Sequence, residues 1–253
     1  MEKLVFRLLT LRCDNETKIA SELTKGDVVD NGSAFFISDD GKFLTAGHVV
    51  NLEKNTYKLC AVIGNDLVDV EILHTEYESQ KEQNRPFWQD FAFGKIKNKQ
   101  DDVNYIDISY TQSVISEGKQ LNYSGYSSAL ILQNKEPKDI NDLTNNIEEL
   151  SNIPYFKKIA FYHLKGTLKD TFEKKHYNNY TNIFSLSYTD SLQIEPRGMS
   201  GGPIIDSDGS LLGIFINGST KEGIGISVDY IYETLIEQKH LIYEKTIKPH
   251  RHI

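Results

Sequence analysis

The first half of the chain consists of short apolar segments, each bounded by turn-forming residues. One turn signal, Asp39-Asp40-Gly41, joins two such segments into a predicted hairpin. The spacing of about 8–12 residues between segments favours an all-β barrel or sandwich over alternating βαβ units. The predicted strands of this half are Leu4–Arg12, Gly32–Ser38, Lys42–Ala46, Tyr57–Gly64, Leu67–His74 and Phe91–Ile96.

A second group of strands follows residue 110, which suggests that the architecture is duplicated. Two of these strands flank Asp206-Ser207-Asp208-Gly209, a further hairpin signal. The predicted strands of this half are Gln112–Gly125, Ile159–Leu164, Ile183–Tyr188, Gly202–Ile205 and Leu211–Ile216.

Two stretches of the second half change to a helical period. The charged and amide-rich stretch of about 133–156 carries apolar residues at spacings of three and four, which predicts a short amphipathic helix in a surface insertion. Near the carboxyl end, Val228, Ile231 and Leu235 follow Ser227, a residue type that caps helices. We therefore expect a terminal helix over 227–245.

Composition limits the classes of partner. The chain has 253 residues, of which 39% are apolar, so it can bury a large core without disulfides or a structural metal. Its two cysteines, Cys13 and Cys60, form no metal-binding or redox motif, which favours a reducing compartment. A net charge of -8 argues against nucleic acid. The sequence shows no signal peptide and no membrane-spanning run, and we expect a cytoplasmic protein.

The hexapeptide Gly198-Met199-Ser200-Gly201-Gly202-Pro203 is the most informative motif. Its glycines permit a sharp turn that aims backbone N–H groups at one point. The N–H groups of Gly198 and Ser200 are candidates for an oxyanion hole, the donor pair that stabilises the anionic oxygen of an acyl-transfer intermediate. A glycine-rich hairpin corner with an incidental serine is the structural alternative.

A serine nucleophile needs a base, and a base needs a group that orients it. His48 directly follows a predicted strand, and Asp90 begins another. Each residue alone also fits a structural role, His48 at a barrel rim and Asp90 in a turn. Together with Ser200 they form the order His, Asp, Ser. The G-x-S-x-G pattern also fits an α/β-hydrolase, but that fold needs a helix after the serine and the order Ser, Asp, His. In this sequence a predicted strand follows Ser200, and few residues remain after it to supply an acid and a base.

Four blocks resemble the trypsin-like (chymotrypsin-fold) serine peptidases, in particular the bacterial stand-alone and HtrA-like protease domains without a PDZ domain. The resemblance implies two six-stranded antiparallel β-barrels, over about 1–110 and about 111–226, with the site between them. It further implies that Ser200 attacks the scissile carbonyl, that His48 transfers the proton and that Asp90 orients the imidazole. The blocks are GSAFFISDDGKFLTAGHVV, DFAFGKI, GMSGGPIIDSDGSLLGI and EGIGISV.

By the same resemblance, seven residues line the substrate pocket: Ile194, Glu195, Arg197, Ile216, Asn217, Gly218 and Gly225. Ile194 and the glycines favour an open apolar pocket for a medium-sized side chain. A different loop register would turn Glu195 inward and favour Lys or Arg. The pocket's preference therefore stays open between apolar and basic side chains.

Met199 stands where digestive trypsins place an aspartate that receives the new amino terminus after zymogen cleavage. We therefore expect control by loops or by an activating protein partner. The expected substrate is a protein or peptide, with no cofactor and no metal, since His250 and His252 read as solvated tail residues. A catalytically silent binding module that keeps the fold, or a partner-activated protease, is the alternative.

Overall fold

The computed structural model describes residues 4–14, 16, 19–24, 26–51, 56–75, 77, 89–97, 104–108, 116–127, 160–170, 183–189, 192 and 195–241. The predicted insertion helix of 133–156, the pocket residue Ile194 and the tail histidines lie outside the described residues.

The first barrel closes six antiparallel strands in the order β1-β2-β3-β6-β5-β4. A one-turn helix, α1 (Gly47–Val50), follows β3, where the sequence predicted only the end of a strand. The described strands of this barrel are β1 (Val5–Arg12), β2 (Val28–Phe36), β3 (Lys42–Thr45), β4 (Tyr57–Ile63), β5 (Asp66–Thr75) and β6 (Ala92–Ile96).

The second barrel closes in the order β10-β11-β12-β9-β8-β7, again with antiparallel neighbours. The prediction of two six-stranded antiparallel barrels is confirmed. The strands of this barrel are β7 (Gln120–Ser127), β8 (Ala160–Asp170), β9 (Ile183–Tyr188), β10 (Pro203–Asp206), β11 (Leu211–Gly218) and β12 (Glu222–Ser227).

The two hairpin signals form tight turns as predicted. Gly41 has a φ of 83° and Gly209 a φ of 86°, values that suit glycine because it has no Cβ. In the second turn, a side-chain oxygen of Asp206 accepts hydrogen bonds from the backbone N–H groups of Asp208 and Ser210, each at 2.9 Å. Asp206 itself is buried and pairs with Lys119 at 2.6 Å.

The terminal helix α2 (Val228–Glu237) packs against both barrels. Ser227 caps it by accepting the N–H of Asp229 at 3.3 Å, as its position in the sequence predicted. The buried residues of its inner face join a cluster that contains core residues of both barrels. The predicted end at 245 is wrong. The helix ends at Glu237 because Lys239 adopts a positive φ of 60°, and the N–H groups of His240 and Leu241 turn back to the carbonyl of Leu235.

Within the described part of the chain neither cysteine forms a disulfide; Cys13 is exposed and Cys60 is buried. No helix among the described residues, including the short 3-10 helix Ala20–Glu22, is long and apolar enough to cross a membrane.

Candidate active site between the barrels

The three residues proposed for chemistry come from both barrels. His48 lies in α1, and Asp90 lies two residues before β6, so both belong to the first barrel. Ser200 lies in the turn that precedes β10 of the second barrel. The structure brings the two barrels together at this turn, since the N–H of Ser33 on β2 donates to the carbonyl of Ser200 at 2.8 Å.

Asp90 engages His48 through both carboxylate oxygens. Oδ2 lies 2.8 Å from ring Nδ1, and Oδ1 accepts the backbone N–H of His48 at 2.7 Å. Because a carboxylate only accepts hydrogen bonds, Nδ1 carries the proton in the neutral imidazole and Nε2 is left as an acceptor. An imidazole held in this tautomer can take a proton from a hydroxyl group at Nε2.

The pKa of His48 reflects two opposing effects. Burial lowers it, whereas the hydrogen bond and negative charge of Asp90, with a further contribution from the charge of Asp30, raise it. The net effect holds the pKa above its ordinary value. When the imidazole becomes a cation, the carboxylate of Asp90 is therefore already in place to stabilise it.

Close backbone packing sets the position of α1. A Cβ on Gly47 would lie 2.4 Å from Cβ of Tyr77 and 3.1 Å from the backbone N and O of Phe91, so only glycine lets α1 approach β6 this closely. Val49 of the same helix packs against Gly32 on β2. The helix therefore contacts β2 on one side and Phe91, the residue before β6, on the other.

The turn that carries Ser200 depends on glycines at two positions. Gly198 has a φ of 92° and Gly201 a φ of 89°, both in the left-handed region. The turn then joins β11, because the N–H of Gly201 donates to the carbonyl of Phe215 at 2.6 Å. The sequence motif predicted such a turn from its glycines.

Two serines hold consecutive carbonyl groups of this turn. Ser127, at the end of β7, donates to the carbonyl of Arg197 at 2.7 Å. Ser33 donates to the carbonyl of Gly198 at 2.9 Å and accepts the N–H of Tyr126 at 2.9 Å. Since N–H and C=O point in opposite directions across a trans peptide bond, the Ser127 contact also fixes the direction of the Gly198 N–H. Neither serine was identified from the sequence.

The hydroxyl of Ser200 donates to the backbone carbonyl of Ile216 at 3.2 Å. Within the described ranges, no hydrogen bond joins this hydroxyl to His48, and the N–H groups of Gly198 and Ser200 donate to no protein group. Two free N–H groups beside a hydroxyl can stabilise negative charge on an oxygen placed between them.

A family model described as "Trypsin-like peptidase domain" matches residues 32–214, more than half of the chain. The chain belongs to the trypsin-like peptidase family. The crystal structure of the Rv3671c protease, inactive form, has the same fold, with a TM-score of 0.52 and 13% sequence identity over 93% of this chain and 89% of that chain. No curated protein sequence matches the chain.

The pocket residues inferred from the resemblance to trypsin-like peptidases occupy different environments. Glu195 and Arg197 are both exposed and lie 3.4 Å apart, Oε2 to Nε, so Glu195 does not turn inward. Ile216 is buried and Asn217 is exposed. Gly225 is buried, and a Cβ there would lie 2.5 Å from Ile204.

Gly218 lies at the end of β11, where it pairs with Gly223 of β12. The sequence predicted that the glycines among the pocket residues leave an apolar pocket open. The structure corrects this interpretation for Gly218, because the hydroxyl of Tyr188 and the ring of Phe215 fill the space over the glycine. A glycine in a sequence does not tell whether a ligand or a neighbouring side chain occupies the space it leaves.

Within the residues that the structure describes, no group of three or more His, Cys, Asp or Glu side chains is arranged to hold a metal ion. The proton-transfer chemistry considered above requires only the protein's own groups.

Proposed function

We propose that the protein is a serine endopeptidase that hydrolyses peptide bonds of protein substrates. Ser200 is the nucleophile, His48 the general base and then general acid, and Asp90 the group that orients the imidazole. The observation that carries the proposal is the double engagement of Asp90 with His48, at 2.8 Å and 2.7 Å. The Ser200 turn adds two N–H groups that donate to no protein group among the described residues. That arrangement fits acyl transfer.

In the proposed reaction, the Ser200 hydroxyl leaves the carbonyl of Ile216 and donates its proton to Nε2 of His48 as Oγ bonds to the scissile carbon. The N–H groups of Gly198 and Ser200 bind the resulting anionic oxygen. The C–N bond then breaks, and the imidazolium returns the proton to the departing amine. Water then gives a proton to His48 and bonds to the acyl carbon, and the imidazolium returns the proton to Oγ as the Oγ–C bond breaks and the carboxyl product leaves.

Zymogen cleavage has no role in the proposed mechanism. Met199, the residue before the nucleophile, is buried and packs in the apolar core of the second barrel. Met199 carries no charge that could pair with a new amino terminus. In the proposed mechanism the turn therefore holds its conformation without such a terminus. Control by loops or by an activating protein partner, a cytoplasmic location and a bacterial source stay predictions.

A catalytically silent binding module, or a protease that a partner activates, is the second candidate. The observation that favours it is the hydrogen bond from Ser200 to Ile216, which directs the hydroxyl to a backbone carbonyl. If the protein is an endopeptidase, a bound substrate breaks this hydrogen bond and so activates the serine. If it is a silent module or needs a partner, the hydrogen bond persists in the isolated chain.

A fluorophosphonate probe separates the two candidates, because it reacts with an activated serine. We expect the isolated wild-type chain to be labelled at Ser200, located by peptide mass spectrometry, and the variants Ser200→Ala and His48→Ala to stay unlabelled. Ser210→Ala, outside the proposed site, is the matched control and keeps the labelling. No labelling of the wild type, under conditions that label an active trypsin-like enzyme, rejects the endopeptidase proposal for the isolated chain.

A further inference from the structure

The backbone next to Ser200 offers an unpaired strand edge. β10 pairs with β11 only as far as Pro203 opposite Ile214, and the turn takes up the two backbone bonds at Phe215. From Ile216 onward, no strand among the described residues pairs with this edge of β11. The carbonyl of Ile216 accepts the hydroxyl of Ser200, and the N–H of Gly218 donates to Oδ1 of Asn217 at 2.8 Å. An extended peptide can add as a strand here and bring a carbonyl to Ser200.

The face of β11 and β12 beside this edge is formed by glycines. Gly218 and Gly223 lie opposite each other in the pairing of the two strands. Successive side chains of an extended peptide point to opposite sides, so one side chain points to this face when the carbonyl of the same residue reaches Ser200. The space above the two glycines therefore decides which side chain fits.

Aromatic atoms already occupy that space. A Cβ on Gly218 would lie 2.3 Å from the hydroxyl oxygen of Tyr188 and 2.7 Å from Cζ of Phe215. A Cβ on Gly223 would lie 2.5 Å from Cε2 of Phe215 and 3.1 Å from the same Tyr188 oxygen. Both glycines are thus required for these two rings to fit.

The two rings are held firmly. Tyr123 stacks on both, with centroids 5.3 Å from Tyr188 and 5.2 Å from Phe215 and interplanar angles of 24° and 18°. The backbone N–H of Tyr188 also donates to the carbonyl of Lys221 at 3.1 Å. The Tyr188 side chain is therefore part of the packed second barrel and does not act as a mobile cover.

The Tyr188 hydroxyl lies next to the hydroxyl of Tyr123. It is buried, and no group in the described part of the chain meets hydrogen-bond geometry with it. A phenylalanine would leave part of the space over the glycines empty, because the hydroxyl oxygen is the Tyr188 atom nearest to both of them. Steric filling beside the glycines is thus what the side chain provides here.

We propose that Tyr188, with Phe215, closes the primary pocket so that the protein accepts only glycine, alanine or serine at the substrate residue whose carbonyl Ser200 attacks. This inference rests on the proposed endopeptidase function. It replaces the medium apolar side chain and the basic side chain that the sequence left open.

The test compares peptide substrates that differ only in that residue: Gly, Ala, Ser, Leu, Phe or Lys. For the wild type, kcat/KM with Ala should exceed that with Leu, Phe or Lys by at least about tenfold, since one methylene group alone changes discrimination by about 10–200-fold. Tyr188→Ala should raise kcat/KM for Leu by at least about tenfold and leave that for Ala within a few-fold.

Tyr188→Phe removes only the hydroxyl oxygen, the Tyr188 atom nearest to both glycines, and should raise kcat/KM for Leu by less than Tyr188→Ala does. Tyr188→Leu provides a milder opening if Tyr188→Ala fails to fold, as judged by thermal unfolding, and should also raise the rate for Leu. A wild-type preference for Leu, Phe or Lys overturns the proposal, as does an unchanged preference in folded Tyr188→Ala or Tyr188→Leu.

A binding measurement keeps this test separate from that of the proposed function. In Ser200→Ala, peptides that end in Ala should bind more tightly than otherwise identical peptides that end in Leu, Phe or Lys, as measured by calorimetry. A tighter complex with the larger residues, or equal binding of all four, overturns the pocket proposal even if the probe labels Ser200. A wild type that the probe leaves unlabelled rejects catalysis by the isolated chain, while the binding order still decides the pocket.

Discussion

The His48–Asp90 pair and the Ser200 turn are held in place by different means. Both hydrogen bonds of the pair join groups of the first barrel, 42 residues apart in the sequence. The turn is braced from both barrels: Ser33 of the first and Ser127 of the second hold its carbonyl groups across 165 and 70 residues. The pair thus needs one folded barrel, whereas the turn needs two barrels in contact.

This difference separates chemistry from assembly. A change in the pair should affect proton transfer and little else. A change in the turn or its braces should alter the packing of the barrels and the direction of the N–H groups together. Each of the following predictions tests one side of that division.

Asp90→Asn should have the largest effect on activity. The amide would donate a hydrogen bond to ring Nδ1 and so favour the tautomer that has no acceptor at Nε2. We expect kcat to fall by about 10⁴-fold, the loss typical of a wrong tautomer in such a triad. Steady-state kinetics with a peptide that the wild type cleaves measure this loss of kcat. A melting temperature close to the wild type's should accompany the loss, and a decrease in kcat of less than about tenfold would contradict the assigned role.

Gly201→Ala should disrupt the contact between the barrels. The residue has a φ of 89°, and its Cβ would lie 2.1 Å from the carbonyl oxygen of Ser33 and 2.3 Å from the hydroxyl of Thr45. The left-handed conformation alone costs about 1–2 kcal/mol, and the steric overlap with β2 adds to this. We expect kcat/KM to fall by about 100-fold, the range for loss of an oxyanion donor, and the melting temperature to fall as well.

Gly209→Ala is the matched control for that variant. Its φ of 86° is similar, but a Cβ there meets no atom within 4 Å. It should lose only the conformational part of the stability and keep the activity. Equal losses in the two variants would show that backbone strain, and not the contact with β2, determines the effect.

Ser127→Ala should have an intermediate effect. Without the hydrogen bond to the carbonyl of Arg197, the peptide that carries the Gly198 N–H can rotate. We expect kcat to fall by about tenfold, equivalent to about 1.4 kcal/mol. KM should be nearly unchanged, because in the proposed mechanism the Gly198 N–H acts on the transition state. Ser127→Thr keeps the donor and should restore most of the rate. A loss that appears in KM alone would indicate a role in substrate binding.

The smallest predicted effect is a shift in the pH profile. His48 must be neutral to act as a base, and its pKa is raised above 6.5. Activity should therefore increase with pH through a midpoint above that value. The negative charge of Asp30 contributes to the rise, so Asp30→Asn should move the midpoint of kcat/KM to lower pH, by a fraction of a unit. A midpoint that moves upward would contradict this electrostatic assignment.

The sequence predicted the features that depend on local pattern. Alternating apolar residues between turn signals located the strands, and glycines around Ser200 predicted its turn. The helix α1 was missed because four residues cannot display a helical period. The end of α2 was misplaced because a positive φ at a lysine has no sequence signal.

Contacts between distant residues could not be predicted. Ser33 and Ser127 are small polar residues in strands, and nothing near them in the sequence indicates the carbonyl groups they bind. The filling of the space over Gly218 was missed for a related reason. The sequence shows a glycine at position 218. Tyr188, which lies over it, belongs to another strand of the barrel, and only the fold brings the two residues together.

Intact-protein mass spectrometry after treatment with a fluorophosphonate tests the central claim most directly, because it asks whether Ser200 is an activated nucleophile. The account predicts that the isolated chain gains the mass of one probe adduct, that the adduct maps to Ser200, and that Asp90→Asn reacts far more slowly although it stays folded. An unmodified wild-type chain, or an adduct that forms equally fast in Asp90→Asn, would contradict it.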